Sequence, residues 1–223
     1  MGSSRRRMPT MLQFIPSTPI LLAYLTAVVA LTLTPGPDMT MFLGKAVSQS
    51  RLAGLAAFCG ASTGLVLHTV LVAVGLSALL AASATAFTVL KVVGALYLVY
   101  LAVQAIRHGS ALSVGDKRSA EPLHRVYMKG LMVNLLNPKI IVFFVTFLPQ
   151  FVQPGDPHAS GKLMFLGILF VAVSIPISLP MIWFAGSIAG FLQRSPKATR
   201  IVDYLFATVL GAFAVRLILA QGR

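Results

Sequence analysis

Thirty-nine consecutive residues, Leu52 to Leu90, contain no Asp, Glu, Lys or Arg. As one helix they would rise about 58 Å at about 1.5 Å per residue, far beyond the ~30 Å of a bilayer's hydrocarbon. The run must therefore turn back on itself, near Ala81–Ala86. A second charge-free run extends from Leu163 to Leu192. Hydrophobic residues make up 57% of the 223-residue chain and charged residues 10%. A soluble fold of this size has too little interior to hide that much apolar surface. The chain is read as an integral membrane protein, and a cytoplasmic globular enzyme and a disordered chain are both excluded.

Eighteen Lys and Arg against five Asp and Glu give a net charge of +13. In a soluble protein that excess would suggest nucleic acid. Here the basic residues punctuate apolar runs and form no patch interleaved with aromatics, so they read as loop charges and interface anchors. Cys59 has no possible partner within the chain and reads as a small apolar residue.

Ile20–Leu33 follows Arg5-Arg6-Arg7 and has the outline of a signal peptide. No small-residue cleavage site follows it; Thr34-Pro35-Gly36-Pro37-Asp38 does, and Met39–Leu43 resumes the apolar pattern. This predicts a first membrane helix broken near its far end. The second and third helices are expected over about Leu55–Leu80 and Phe87–Ile106. The fourth is expected over about Gly130–Phe151, interrupted at Asn137-Pro138-Lys139. A fifth covers Leu163–Leu192 with Pro176 and Pro180 inside, and a sixth about Ile201–Leu219. The domain plan is a tail (1–19), a first half (20–106), a charged connector (107–129) and a second half (130–219). The connectors between helices 1 and 2, 3 and 4, and 5 and 6 hold ten Lys and Arg, against six on the opposite side. The bias of positive charge toward the cytoplasm then puts both termini in the periplasm.

Pro37-Asp38-Met39-Thr40-Met41-Phe42 can be laid over Pro138-Lys139-Ile140-Ile141-Val142-Phe143, at an offset of 101 residues. Three helices per half make the second half enter the membrane from the other side. The expected fold is therefore all-α: six transmembrane helices as two inverted three-helix repeats, with broken first and fourth helices. Proline frees a backbone carbonyl that must find a partner or a wet cavity. Asp38 and Lys139 lie at these breaks. A charge at mid-membrane costs about 2.5–3.5 kcal/mol on insertion scales, which makes such residues functional candidates. Asp38 is placed to hold an ammonium and Lys139 a carboxylate, the two poles of a zwitterion, with free N–H groups at the broken ends helping. The competing readings are a structural Asp38–Lys139 pair and a side chain that snorkels.

Leu33-Thr34-Pro35-Gly36-Pro37-Asp38, Lys91-Val92-Val93-Gly94-Ala95-Leu96-Tyr97-Leu98, Asn134-Leu135-Leu136-Asn137-Pro138-Lys139 and Phe147-Leu148-Pro149-Gln150-Phe151 resemble the LysE/RhtB family of amino-acid exporters. The resemblance runs from about Leu21 to Leu219. It implies a six-helix protein of the bacterial inner membrane that exports amino acids and draws on the proton gradient. Many members of that family carry Asn at the position of Asp38.

The site is accordingly assigned to Pro35, Gly36, Pro37, Asp38, Asn134, Asn137, Pro138, Lys139 and Gln150. The amides are read equally as a substrate lining and as caps for backbone freed by proline. Asp38 and His68 are the candidate proton carriers; His68, with an ordinary pKa near about 6.5, reads also as a helix-packing residue. Lys91, Asp203 and Arg216 read as interface anchors, and Tyr97 and Tyr100 as packing or interface residues. Gly60–Gly64 and Gly186–Gly190 allow close helix approach, within one subunit or across a homodimer. Enzyme motifs are absent and His68, His108, His124 and His158 stand at no metal-ligand spacing, so neither metal nor cofactor is expected. The expected partners are the lipid bilayer, protons and a small amino acid or derivative. A cation or heavy-metal exporter on the same scaffold and an intramembrane lipid enzyme are the alternatives.

Overall fold

A computed structural model describes residues 14–76, 121–152 and 156–195, with isolated helical positions between 85 and 107 and between 197 and 212. Lys91, Tyr97, His108, Asp203 and Arg216 lie outside the described residues, as do most of the third and sixth expected helices.

Proline writes the first break. Each of Thr34, Gly36 and Asn137 precedes a proline, whose ring disfavours the helical region for the residue before it. Thr34 and Gly36 are extended, and Asn137 takes φ −73°, ψ 109°. Helix α1 (Thr18–Leu33) therefore ends, and α2 (Pro37–Ser48) restarts with Pro37 in its first turn. The axis bends by 48°. The second break repeats this: α4 (Leu123–Leu135) gives way at Asn137 to α5 (Pro138–Phe151), bent by 50°. Within α5, five residues from Phe143 to Phe147 form a π turn.

Two unbroken helices complete the described core. α3 (Arg51–Leu71) begins at Ser50, whose hydroxyl accepts from the Ala53 N–H at 3.1 Å, and ends in a π turn over Val72–Leu76. α6 (Ala159–Trp183) carries Pro176 and Pro180. These two are long and apolar enough to cross a membrane, and each broken pair passes the same test as a unit. Among the described residues every regular element is helical.

Several boundaries differ from expectation, α6 among them in starting at Ala159 ahead of Leu163. α3 starts at Arg51, ahead of Leu55, and α4 at Leu123, ahead of Gly130. Apolar runs mark only the hydrocarbon-depth part of a helix, and the polar turn His124-Arg125 continues the same helix beyond it. The expected fifth helix, Leu163–Leu192, is two: the chain leaves α6 at Phe184 and resumes as α7 (Ala185–Arg194). At 25 residues α6 already rises about 38 Å, enough to finish the crossing.

Glycines weld α3 to α4. A Cβ at Gly60 would lie 2.0 Å from the Tyr127 carbonyl oxygen, and one at Gly130 would lie 2.1 Å from that of Ala57. The Gly60–Gly64 pattern is thus used inside this chain, whereas Gly186 and Gly190 on α7 meet nothing within 4 Å.

The two broken helices run antiparallel. Lys45, near the end of α2, sits 3.3 Å from Glu121, just before α4. At the other end, Asp38 in the first turn of α2 meets Asn134 in the last turn of α4. Two apolar clusters form around this pair. One joins α1, α5 and α6 through Tyr24, Phe143, Phe147 and Phe170. The other joins α2, α3 and α7 through Phe42, Leu43, Phe58 and Ala185.

Candidate functional site

The breaks meet between the two clusters, around a cavity of about 50 Å³. That is room for a few waters or one ammonium-sized group, at about 10–15 Å³ per water. Gly36, Asp38, Asn134, Asn137 and Lys139 line it from the broken segments. Apolar walls come from Phe42, Phe58, Leu65 and Phe170, and hydroxyls from Thr32, Thr34, Ser62, Ser174 and Ser178.

Asp38 is held by amides. Asn134 Nδ2 donates to its Oδ2 at 2.8 Å and Asn137 Nδ2 donates to the same atom at 3.1 Å. Its other oxygen, Oδ1, is buried with no hydrogen-bond partner. The carboxylate also stands in the first turn of α2, where the helix dipole favours an anion. Asn137 doubles as the N-cap of α5, its Oδ1 accepting from the Lys139 N–H at 3.0 Å.

Lys139 reaches back to α1. Its Nζ donates to the carbonyls of Leu31 at 3.2 Å and Thr34 at 3.0 Å. These are carbonyls of α1's final turn and of the residue that ends it, where a cation is favourable. Gly36 leaves the space for this approach, since a Cβ there would lie 3.1 Å from Nζ. Each charge therefore sits against the half-helix end of matching polarity. That arrangement is how a bilayer interior tolerates both.

The remaining candidates divide. Pro35, Pro37 and Pro138 shape the breaks without lining the cavity. Gln150 donates to the Thr146 carbonyl of its own helix at 2.9 Å and stands apart from the cavity lining. His68 is buried against Phe144, with ring centroids 5.6 Å apart. Its Nε2 lies 3.5 Å from the Asn134 carbonyl oxygen, so Asn134 stands between the imidazole and Asp38. Among the described residues no group of three His, Cys, Asp or Glu could hold a metal ion.

Sequence reasoning missed the hydroxyls. Ser62 was legible only as a spacer within Gly60–Gly64. Yet it too is a buried polar atom without a partner, as is Asn134 Oδ1.

At one end of the bundle, Glu121 ties the elements together. Lys129 and Lys45 flank its carboxylate, and Gln49 bonds its backbone N–H and carbonyl. The hydrogen bonds from Lys129 and Lys45 hold its carboxyl below the usual range, so the tie stays ionised throughout the physiological range. Arg51 stacks over Trp183 nearby, 4.8 Å from the ring centroid.

Residues 29–221 match the LysE type translocator family. The chain is 31% identical over 187 residues to the homoserine/homoserine lactone efflux protein of Salmonella typhimurium, covering 84% of this chain and 90% of that protein. It is 34% identical to an uncharacterized membrane protein of Vibrio cholerae, covering 84% and 91%. It is 32% identical to the uncharacterized membrane protein YrhP of Bacillus subtilis, covering 88% and 97%. No solved structure matches it significantly. With a family match over most of its length and apolar helices fit to cross a bilayer, the chain is a multi-pass membrane translocator, not an enzyme, and belongs to the LysE type translocator family.

Proposed function

We propose that this protein exports amino acids or related small molecules with a primary ammonium group from the cytoplasm across the bacterial inner membrane. One observation carries the reading: two opposite charges, Asp38 and Lys139, face one cavity where two antiparallel helices break. The relatives support it, since one is named for efflux of homoserine and homoserine lactone. Both of those compounds carry a primary ammonium, and only homoserine carries a free carboxylate. The ammonium is then the feature common to the cargo, and Asp38 is its counter-ion. Lys139 serves the carboxylate where there is one, while keeping its hold on the end of α1.

Transport proceeds by rocking of the two halves about the breaks, each half a three-helix unit in the inverted six-helix plan. The matched bends and the antiparallel course of the broken helices support that plan. A proton moves inward in exchange for the ammonium, carried by Asp38 and passed through His68. A metal-cation cargo is disfavoured, because the Lys139 ammonium shares the cavity.

The test is uptake of labelled amino acids into inside-out vesicles, with and without an imposed proton gradient. Saturable, gradient-driven uptake that is lost in Asp38→Asn is the expected result. Folded protein that moves no amino acid in the panel overturns the reading. Uptake with an unchanged response to the gradient in Asp38→Asn removes the proton role of that carboxylate.

A further inference from the structure

Three of the residues that line the cavity carry a buried oxygen with no hydrogen-bond partner. Asp38 spends its Oδ2 on two amides and leaves Oδ1 bare. Asn134 turns its nitrogen toward Asp38 and leaves its own Oδ1 bare. The orientation of that amide is fixed chemically, since a flip would set its oxygen against the carboxylate. Ser62 Oγ is the third. A buried polar atom without a partner is costly, and native structures keep few of them.

Ser62 is unlike its neighbours. A hydroxyl on a membrane helix usually back-bonds to the carbonyl four residues earlier. Thr63 does so to Cys59, Thr69 to Leu65 and Thr32 to Val28. Thr34 likewise bonds Ala30, and Ser174 bonds Val171. Ser62 has the same option toward Phe58 and does not take it. Gly64, two residues further along α3, lets Asn134 press close: a Cβ there would lie 2.4 Å from Asn134 Oδ1. α3 thus contributes a hydroxyl without a hydrogen-bond partner to the cavity wall and, at Gly64, the space for the Asn134 amide oxygen.

A primary ammonium has three N–H donors and no acceptor, the complement of this set. We propose that Ser62 is a substrate-contacting residue which, with Asp38 Oδ1 and Asn134 Oδ1, forms a three-acceptor seat selecting an unmodified primary ammonium. The inference rests on the exporter reading above and goes further. It assigns specificity for the amine's substitution to a serine on α3, outside both broken helices. N-methylation replaces donors with methyl groups and leaves acceptors unmatched in a buried site. Discrimination therefore falls on donor count and not on charge.

The test uses the full chain purified into liposomes, with labelled L-homoserine as probe and its N,N,N-trimethyl derivative as competitor. Wild type and Ser62→Ala are compared in sodium and in choline buffers. Wild-type protein is expected to prefer homoserine strongly over the trimethyl compound. Ser62→Ala should raise the half-saturating homoserine concentration about tenfold or more, the size expected for one hydrogen bond to a charged group. It should also shrink the preference against the trimethyl compound, which a purely structural role would leave intact. If wild type carries homoserine and Ser62→Ala keeps both values, the seat falls and the exporter stands. If transport requires sodium and Ser62→Ala shifts the sodium dependence alone, the acceptors hold a coupling cation and the proposal falls. If wild type carries no amino acid at all, the exporter reading and the seat fall together.

Discussion

At the scale of the residue, the central fact is where each buried charge finds its counterweight. Lys139 does not depend on Asp38 alone; it donates to two carbonyls released where α1 ends. The sequence exposed the charges because each interrupts an apolar pattern beside a proline. It could not reveal that the two amides, Asn134 and Asn137, converge on a single oxygen of Asp38, since that depends on how two helix ends approach. Gln150 lies on the same broken helix, and its side chain donates to the Thr146 carbonyl, the backbone-bonding role that the sequence leaves level with a substrate lining. Replacing Lys139 with Met keeps most of the volume and removes both bonds to α1. Each bond from a charged donor is worth about 1.5–3 kcal/mol, and about 1 kcal/mol moves the melting temperature of a chain this size by about 2–4 °C. Lys139→Met is expected to lower the melting temperature in detergent by several degrees as well as to impair transport. An unchanged melting temperature would mean that the lysine does not hold α1.

Elements behave differently. The breaks were legible because proline acts locally, through its own ring and on the residue before it. The α3–α4 contact was not: a glycine spacing announces close approach without naming the partner or the subunit. Geometry decides it, since the Gly60 position has the Tyr127 carbonyl 2.0 Å from where a methyl would sit. Backbone cannot rotate away as a side chain can, so even alanine forces the two helices apart, at about 1–3 kcal/mol for overpacking. Separation there also shifts Ser62 and Asn134, which sit on the two helices that must part. Gly60→Ala is expected to lower thermal stability and weaken homoserine transport together. Gly186→Ala, on the open face of α7, should leave both unchanged. Equal behaviour of the two variants would show that α3 and α4 are not in the contact described.

For the molecule as a whole, the polar ties cluster by face. Lys45, Gln49, Arg51, Glu121 and Lys129 gather at the end where α2 stops and α3 and α4 begin, and Trp183 brings the end of α6 to the same level. Asp156 and Lys162 pair at the opposite end, beside the start of α6. Of the basic residues expected on one side, Lys45, Arg51, Arg125 and Lys129 lie at the first of these faces, where α2 ends and α3 and α4 begin. By the bias of Lys and Arg toward the cytoplasm, that face is proposed to be cytoplasmic, and the cavity lies between it and the periplasm. The exposed Arg125, on α4 near Glu121, and the exposed Pro157, ahead of α6, report on the two faces. In a Cys59→Ser background, Arg125→Cys is expected to react with a membrane-impermeant maleimide only in inside-out vesicles, and Pro157→Cys only in intact cells with the outer membrane permeabilised. The reverse pattern would invert the protein. It would leave the direction of flux unchanged, because an antiporter exchanges substrate for protons down the same proton gradient in either orientation. Labelling of both positions from both sides would exclude a single orientation.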